Sequence, residues 1–273
     1  MTAFLRSLFL PLSWKNVTLL RLGITAFALF AYWPRGLHLG FVPWFQDEAT
    51  LPLLERVYAA VFIQPWYWAI CMGALILFGL GLLPRWLTWL PLPLLLPLGF
   101  LNSGVQSRFV LIMVLLCLAL WPSFPFWKAR GRDQAGIPGP PRWPVVLITW
   151  QLSLVYLANA VAKLVNPEYL SGDVLEGLSQ YHGKFNIVID HGIAYLPFLA
   201  IPAWLAALAS IATEAGIGLG VWVQRPLHRV IIWVFAAAFH LFLMEVMSIF
   251  MLNIACLVVM ALVFLLDRPA TAE

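Results

Sequence analysis

The chain has 273 residues, of which 63% are hydrophobic and only 10% charged, with a formal net charge of +4. Soluble domains carry about 25% charged residues, so this composition excludes an ordinary water-soluble globule and predicts a polytopic membrane protein. The small positive balance does not point to nucleic acid: basic residues in a membrane protein mark its cytoplasmic loops, and the partner expected is the lipid bilayer.

A membrane helix needs about 20 mostly apolar residues. Residues 1–12 hold Arg6 and a short apolar run. Pro11, Trp14 and Lys15 follow without a small-residue cleavage site, so no removed leader is expected. Eight apolar segments come in order: 17–33, 64–83, 86–101, 105–123, 143–165, 197–223, 229–246 and 249–267. The third contains Pro91, Pro93 and Pro97 and is expected to be short and kinked, because each proline removes a backbone donor. The last two form one apolar run that is too long for a single span, so a break is placed near Glu245–Ser248. The expected fold is therefore an all-α integral membrane bundle of about eight transmembrane helices. The 14 tryptophans and 19 phenylalanines suit the aromatic belts of such a bundle.

Orientation follows from the basic residues. With both termini cytoplasmic, the inner segments hold Arg6, Lys15, Arg21, Arg85, Lys128, Arg130, Arg132, Arg142, Arg225, Arg229 and Arg268, which is 11 of the 16 basic residues. The outer segments hold Asp47, Glu48, Glu55, Glu168, Asp173, Glu176 and Asp190. That separation obeys the positive-inside rule, and a bacterial inner membrane fits it. Residues 124–142 are basic and rich in proline and glycine, and are expected to be a flexible inner loop. Residues 34–63 form an outer segment in which Leu51–Val61 has the pattern of an interfacial helix. Residues 166–196 form a polar outer loop. Within it a short helix is expected around 173–182, capped by Ser171 or Asp173, with Glu176 in its first turn. The whole chain, 1–273, reads as one transmembrane domain.

The fifth segment carries the sharpest chemical signal. Tyr156, Asn159 and Lys163 are spaced i, i+3, i+7 and share a helix face. Ionisable groups at membrane depth are costly and mark function by default. Lys163 lies about one turn from the outer boundary, where its four-carbon stem could let the ammonium snorkel to the headgroups. Alternatively, desolvation would leave it neutral and able to act as a base. The next loop puts Tyr181, His182 and Lys184 above it, with His191 farther along. Glu214, near mid-membrane, must be protonated or paired, with Arg21 and Lys163 as candidate partners. His240 lies at a depth close to that of Lys163, while Glu245 and Asn253 complete the intramembrane polar set. Cys71, Cys117 and Cys256 read as small hydrophobes. There is no HExxH, GxSxG, phosphate loop or histidine pair at i, i+4, so no metal is expected.

The segment Tyr156-Leu-Ala-Asn-Ala-Val-Ala-Lys163-Leu164, followed by Glu168-Tyr169-Leu-Ser-Gly172 and Gly177-Leu-Ser179, resembles the HTTM (horizontally transferred transmembrane) family. That family includes the membrane domain of vitamin K-dependent gamma-carboxylase. Phe239-His240 with Ser248-Ile249 is a second similar block, and Asn102 with Trp121-Pro122 a weaker one. The resemblance implies that Lys163 is the base that deprotonates a quinol, with His240 as a stabiliser. Tyr156, Asn159, His182 and Glu214 are then the expected substrate-binding residues, in a site near the periplasmic face. It implies a vitamin K-like quinone or hydroquinone as cofactor and a carboxylase-like or oxygenase-like lyase chemistry. This chain departs from the family in having Ala162-Lys163 for a lysine pair and Tyr169 for a tryptophan. The carboxylase's large luminal domain has no counterpart before Glu273, so a different second substrate is expected. Two other readings stay open: a non-catalytic membrane partner or immunity-type protein, and a redox-partner subunit of the DoxX kind.

Overall fold

The computed structural model describes residues 8–32, 61, 64–100, 106–122, 124–182, 188–190, 193–196, 199–247 and 250–267. The described chain is mostly helical, and each of the eight apolar segments falls on a helix. These are α1 (Trp14–Ala31), α2 (Pro65–Gly79), α3 (Pro91–Phe100), α4 (Gln106–Ala119), α6 (Trp143–Leu164), α9 (Ala203–Gly220), α10 (Pro226–Met247) and α11 (Phe250–Leu266). Three shorter helices lie between them: α5 (Phe126–Gln134), α7 (Pro167–Ser171) and α8 (Asp173–His182). Among the described residues α6 and α9 are long and apolar enough to cross a membrane by length and composition. The proposed interfacial helix at Leu51–Val61 lies outside the described residues apart from Val61.

The third apolar segment is short and irregular, as expected: a 3-10 turn at Arg85–Leu87 precedes α3, which is only 10 residues long and holds Pro97 inside it. The Tyr67 hydroxyl and the Cys71 thiol of α2 both donate to the Leu94 carbonyl, just before Pro97 interrupts the ladder. Two expectations need correction: first, the sixth segment is extended over Leu199–Pro202 and becomes helical only at Ala203. A three-stranded antiparallel ribbon, β1 (Val188–Asp190), β2 (Ile193–Leu196) and β3 (Leu199–Pro202), precedes α9, with Ile193 opposite Pro202. Pro202 pushes the residue before it toward extended backbone and then starts the helix, so the apolar pattern overran the true boundary.

The second correction concerns residues 124–142, expected to be a flexible loop. They carry α5 and are tied to the start of α1. The Asp133 carboxylate accepts from the backbone N–H groups of Trp14 (2.8 Å) and Lys15 (2.9 Å). A negative charge there satisfies donors that have no partner within the helix, and it suits the positive end of the helix dipole. Ser13 adds an N-cap by accepting from the Asn16 N–H. The Trp14 indole donates to the carbonyls of Ile137 and Pro138, and Arg132 lies over the rings of Trp14 and Phe124. Backbone bonds Leu12 to Pro140 and Arg142 to Leu10 close the connection. Gly139 is required there: a Cβ would sit 1.6 Å from the Leu12 carbonyl oxygen. Composition suggested a flexible loop, but Asp133 is used in a helix cap and Arg132 in stacking.

Two compact units emerge: residues 1–148 with 262–273, and residues 149–261. In the first, α1 packs against α2, α4 and α5 around Leu20, Ile24, Leu75, Phe78 and Leu115. Arg21 is buried, donates to the Pro122 carbonyl and lies over the Phe78 ring. At the start of α6, Arg142 meets Asp267 in a two-point pair, Nε to Oδ1 and Nη2 to Oδ2, both 2.5 Å. The Asp267 hydrogen bond holds the guanidinium pKa above its ordinary value. Removing one member of a buried pair costs about 3–5 kcal/mol, whereas replacing both with apolar groups is often neutral. Accordingly Asp267→Ala is expected to lower unfolding stability in detergent by about that amount, and Arg142→Met with Asp267→Leu to recover most of it. A double variant as unstable as the single one would contradict this role for the pair.

Candidate functional site

The second unit contains the residues that the sequence singled out. Helices α6 and α9 are joined by polar bonds along their length. Near one end, Ser153 donates to the Gly218 carbonyl at 2.7 Å. Gly218 permits the approach: a Cβ there would lie 2.9 Å from Leu157 and 3.2 Å from the Ser153 carbonyl oxygen. Small residues and inter-helix hydrogen bonds are the usual means of association where lipid supplies no hydrophobic drive.

At the other end, Lys163 turns inward. Its Nζ donates to Glu214 Oε1 at 2.9 Å and to Ser210 Oγ at 3.1 Å. Its side chain is 20% exposed and that of Glu214 only 6%, which is not the geometry of a snorkelling lysine. Of the two partners considered for Glu214, the structure gives Lys163. Ser210 Oγ also accepts from the Tyr169 hydroxyl at 3.0 Å, and the ammonium lies 5.0 Å from the Tyr169 ring centroid. Glu214 Oε2 is buried and has no hydrogen-bond partner among the described residues.

Deeper on α6, the buried Tyr156 hydroxyl meets His240 Nε2 of α10 at 2.5 Å. Cys256 of α11 lies beside the same hydroxyl. Tyr156, Lys163, Glu214 and His240 thus sit in one unit as two polar pairs. Asn159 does not join them. Its side chain is exposed, and it makes no bond to the cluster. At about 100° per residue it lies some 60° around the helix from Tyr156, at the rim of the stripe.

The chain after Lys163 builds a cover. Asn166 caps α7 by accepting from the Glu168 N–H, and Gly172 ends it with φ 96°, a left-handed conformation that favours glycine. A Cβ on Gly172 would lie 2.5 Å from that of Ala203. Ser171 then bonds Asp173 at 2.6 Å as α8 begins. Tyr169 and Leu175 pack with Ala160, Ala203, Ala207 and Ile211 in one buried cluster, which fixes the Tyr169 hydroxyl over Ser210. His182 ends α8, but its side chain lies outside the described residues, as do Lys184, His191 and the side chains of Glu245 and Asn253.

Sequence reading missed Ser210 and the bonding role of Tyr169. A signal for Ser210 was present: it lies four residues before Glu214 and therefore on the same helix face. No family model, curated protein or solved structure matches this chain. Among the described residues no group of histidine, cysteine and carboxylate side chains could hold a metal ion.

Gly218→Val places branched carbon against Leu157 and the Ser153 carbonyl, and overpacking of this kind costs about 1–3 kcal/mol. The expected outcome is a lower unfolding midpoint together with loss of the Ser153 bond. An unchanged midpoint in chemical unfolding would show that the contact carries no stability.

Proposed function

We propose that the chain is a polytopic integral membrane protein of the HTTM type, with Lys163 as a proton-accepting base for a lipophilic, quinol-like substrate. The observation that carries this reading is the inward-turned Lys163, held by Glu214 and Ser210 instead of reaching outward. The membrane part of the reading is supported by the composition and by the two helices long and apolar enough to cross a bilayer.

The donor set suits a hydroxyl-bearing ring. Glu214 Oε2 is a buried acceptor without a partner among the described residues, and the Tyr156–His240 pair offers a second polar contact. A hydroquinone, when bound, supplies an acidic hydroxyl. The rest falls to the protein. The ion pair between Lys163 and Glu214 has no net charge, and shifting one proton from Nζ to Oε1 leaves it neutral. The resulting amine can then accept the proton of the substrate hydroxyl, which leaves an ammonium paired with the substrate oxyanion while Glu214 keeps the proton it took from Nζ. Ser210, fixed by Tyr169, keeps Nζ oriented in both forms. His240 and Tyr156 would stabilise negative charge left on the substrate oxygen. The second substrate and the lyase-type outcome belong to the same proposal.

Lys163→Arg separates base from packing, because arginine keeps the charge opposite Glu214 but does not give up its proton. In proteoliposomes supplied with a hydroquinone and oxygen, this variant should lose about 10²–10⁴-fold of substrate-dependent oxygen uptake while unfolding like wild type. Full activity in the arginine variant would exclude Lys163 as the base and favour a non-catalytic membrane partner.

A further inference from the structure

In the first unit, a groove of about 380 Å³ opens between α1 and α5, with Lys15, Leu19, Leu22, Phe126 and Arg130 in its walls. Both cations are exposed, and neither forms an ion pair among the described residues. Among the described residues no carboxylate lines the groove. The nearby Asp133 is committed, with its two oxygens on the N–H groups of Trp14 and Lys15. Thr18 is also committed, donating to the Trp14 carbonyl. The groove therefore offers two positive charges at one edge and aliphatic and aromatic carbon along the rest.

Helix α5 has the character of an interfacial element. Phe126 and Trp127 stack edge to face at 5.2 Å and are exposed at 42% and 54%, and Lys128 and Arg130 follow them. Aromatic rings next to basic residues are the pattern of a helix lying at a headgroup layer. The cytoplasmic leaflet is the anionic one, and it attracts such basic segments.

We propose that this groove binds an acidic phospholipid, with its phosphate at Lys15 and Arg130 and an acyl chain along Leu19, Leu22 and Phe126. The proposal rests on the membrane reading above but not on the chemistry of Lys163. A free phosphate would use the cations alone; the apolar walls favour the lipid.

The test uses the full chain, recovered from membranes in mild detergent. It is titrated with short-chain phosphatidylglycerol, phosphatidylcholine of equal chain length, or glycerol phosphate, and adducts are read by native mass spectrometry. Phosphatidylglycerol should bind and the other two should bind far more weakly. Lys15→Gln with Arg130→Gln should weaken binding roughly thirtyfold, about a factor of five for each basic residue beside an anionic surface. Lys128→Gln, which removes an equal charge from α5 outside the groove, should leave binding within about twofold, since its charge is not at the phosphate. Equal binding of the choline lipid, equal binding of glycerol phosphate, or equal losses in the Lys128 variant would each overturn the proposal. Recovery of the chain in the soluble fraction would overturn the membrane reading itself, a distinct result.

Discussion

The Lys163–Glu214 pair organises the second unit. An ammonium and a carboxylate withdrawn from water are each expensive, and each becomes tolerable only opposite the other, with further hydrogen bonds on the remaining sites. Ser210 provides one such bond to Nζ and is itself held by Tyr169. Tyr169 is in place because α7 ends abruptly at Gly172, where the chain must turn closely past Ala203. The short cover after Lys163, the small residues on α9 and the Ser153–Gly218 contact thus contribute to one requirement, that α6 and α9 present charge to each other. One oxygen of Glu214 is left over, and a satisfied core would not need it.

The first unit handles charge by the same rule with different partners. Asp133 faces the donors that begin α1, Arg132 lies on two aromatic faces, and Arg142 grips Asp267 at two points. Lys15 and Arg130 are the contrast, exposed at a partly apolar groove with no carboxylate in its walls among the described residues. In both units the informative groups are those whose charge is not fully answered by the chain.

Helix positions were legible in the sequence because runs such as Trp143–Leu164 have few other places to go. The boundaries were less legible where apolar residues continue past a proline, as before Pro202, since hydropathy alone does not distinguish an apolar strand from a helix end. The same limit applies to 124–142: composition described its charges, but pairing of Asp133 with backbone 118–119 positions away is a tertiary contact that no local pattern encodes. At the site, the i, i+7 spacing of Tyr156 and Lys163 put both on the inward face, and Glu214 was visible as a charge needing a partner. Which partner it takes depends on how α6 meets α9, and Asn159 illustrates the cost of reading a face too broadly: about 60° of rotation separates a buried hydroxyl from an exposed amide.

The most direct test of the central claim is a double-mutant cycle on Lys163→Met and Glu214→Leu, measured by chemical unfolding of the full chain in detergent. A buried, hydrogen-bonded pair predicts a coupling energy of about 2–3 kcal/mol, with the double variant more stable than the sum of the single losses allows. Single losses that add within about 0.5 kcal/mol would mean that the two groups do not interact in the folded protein. The inward-facing lysine, and the base chemistry built on it, would then have no foundation.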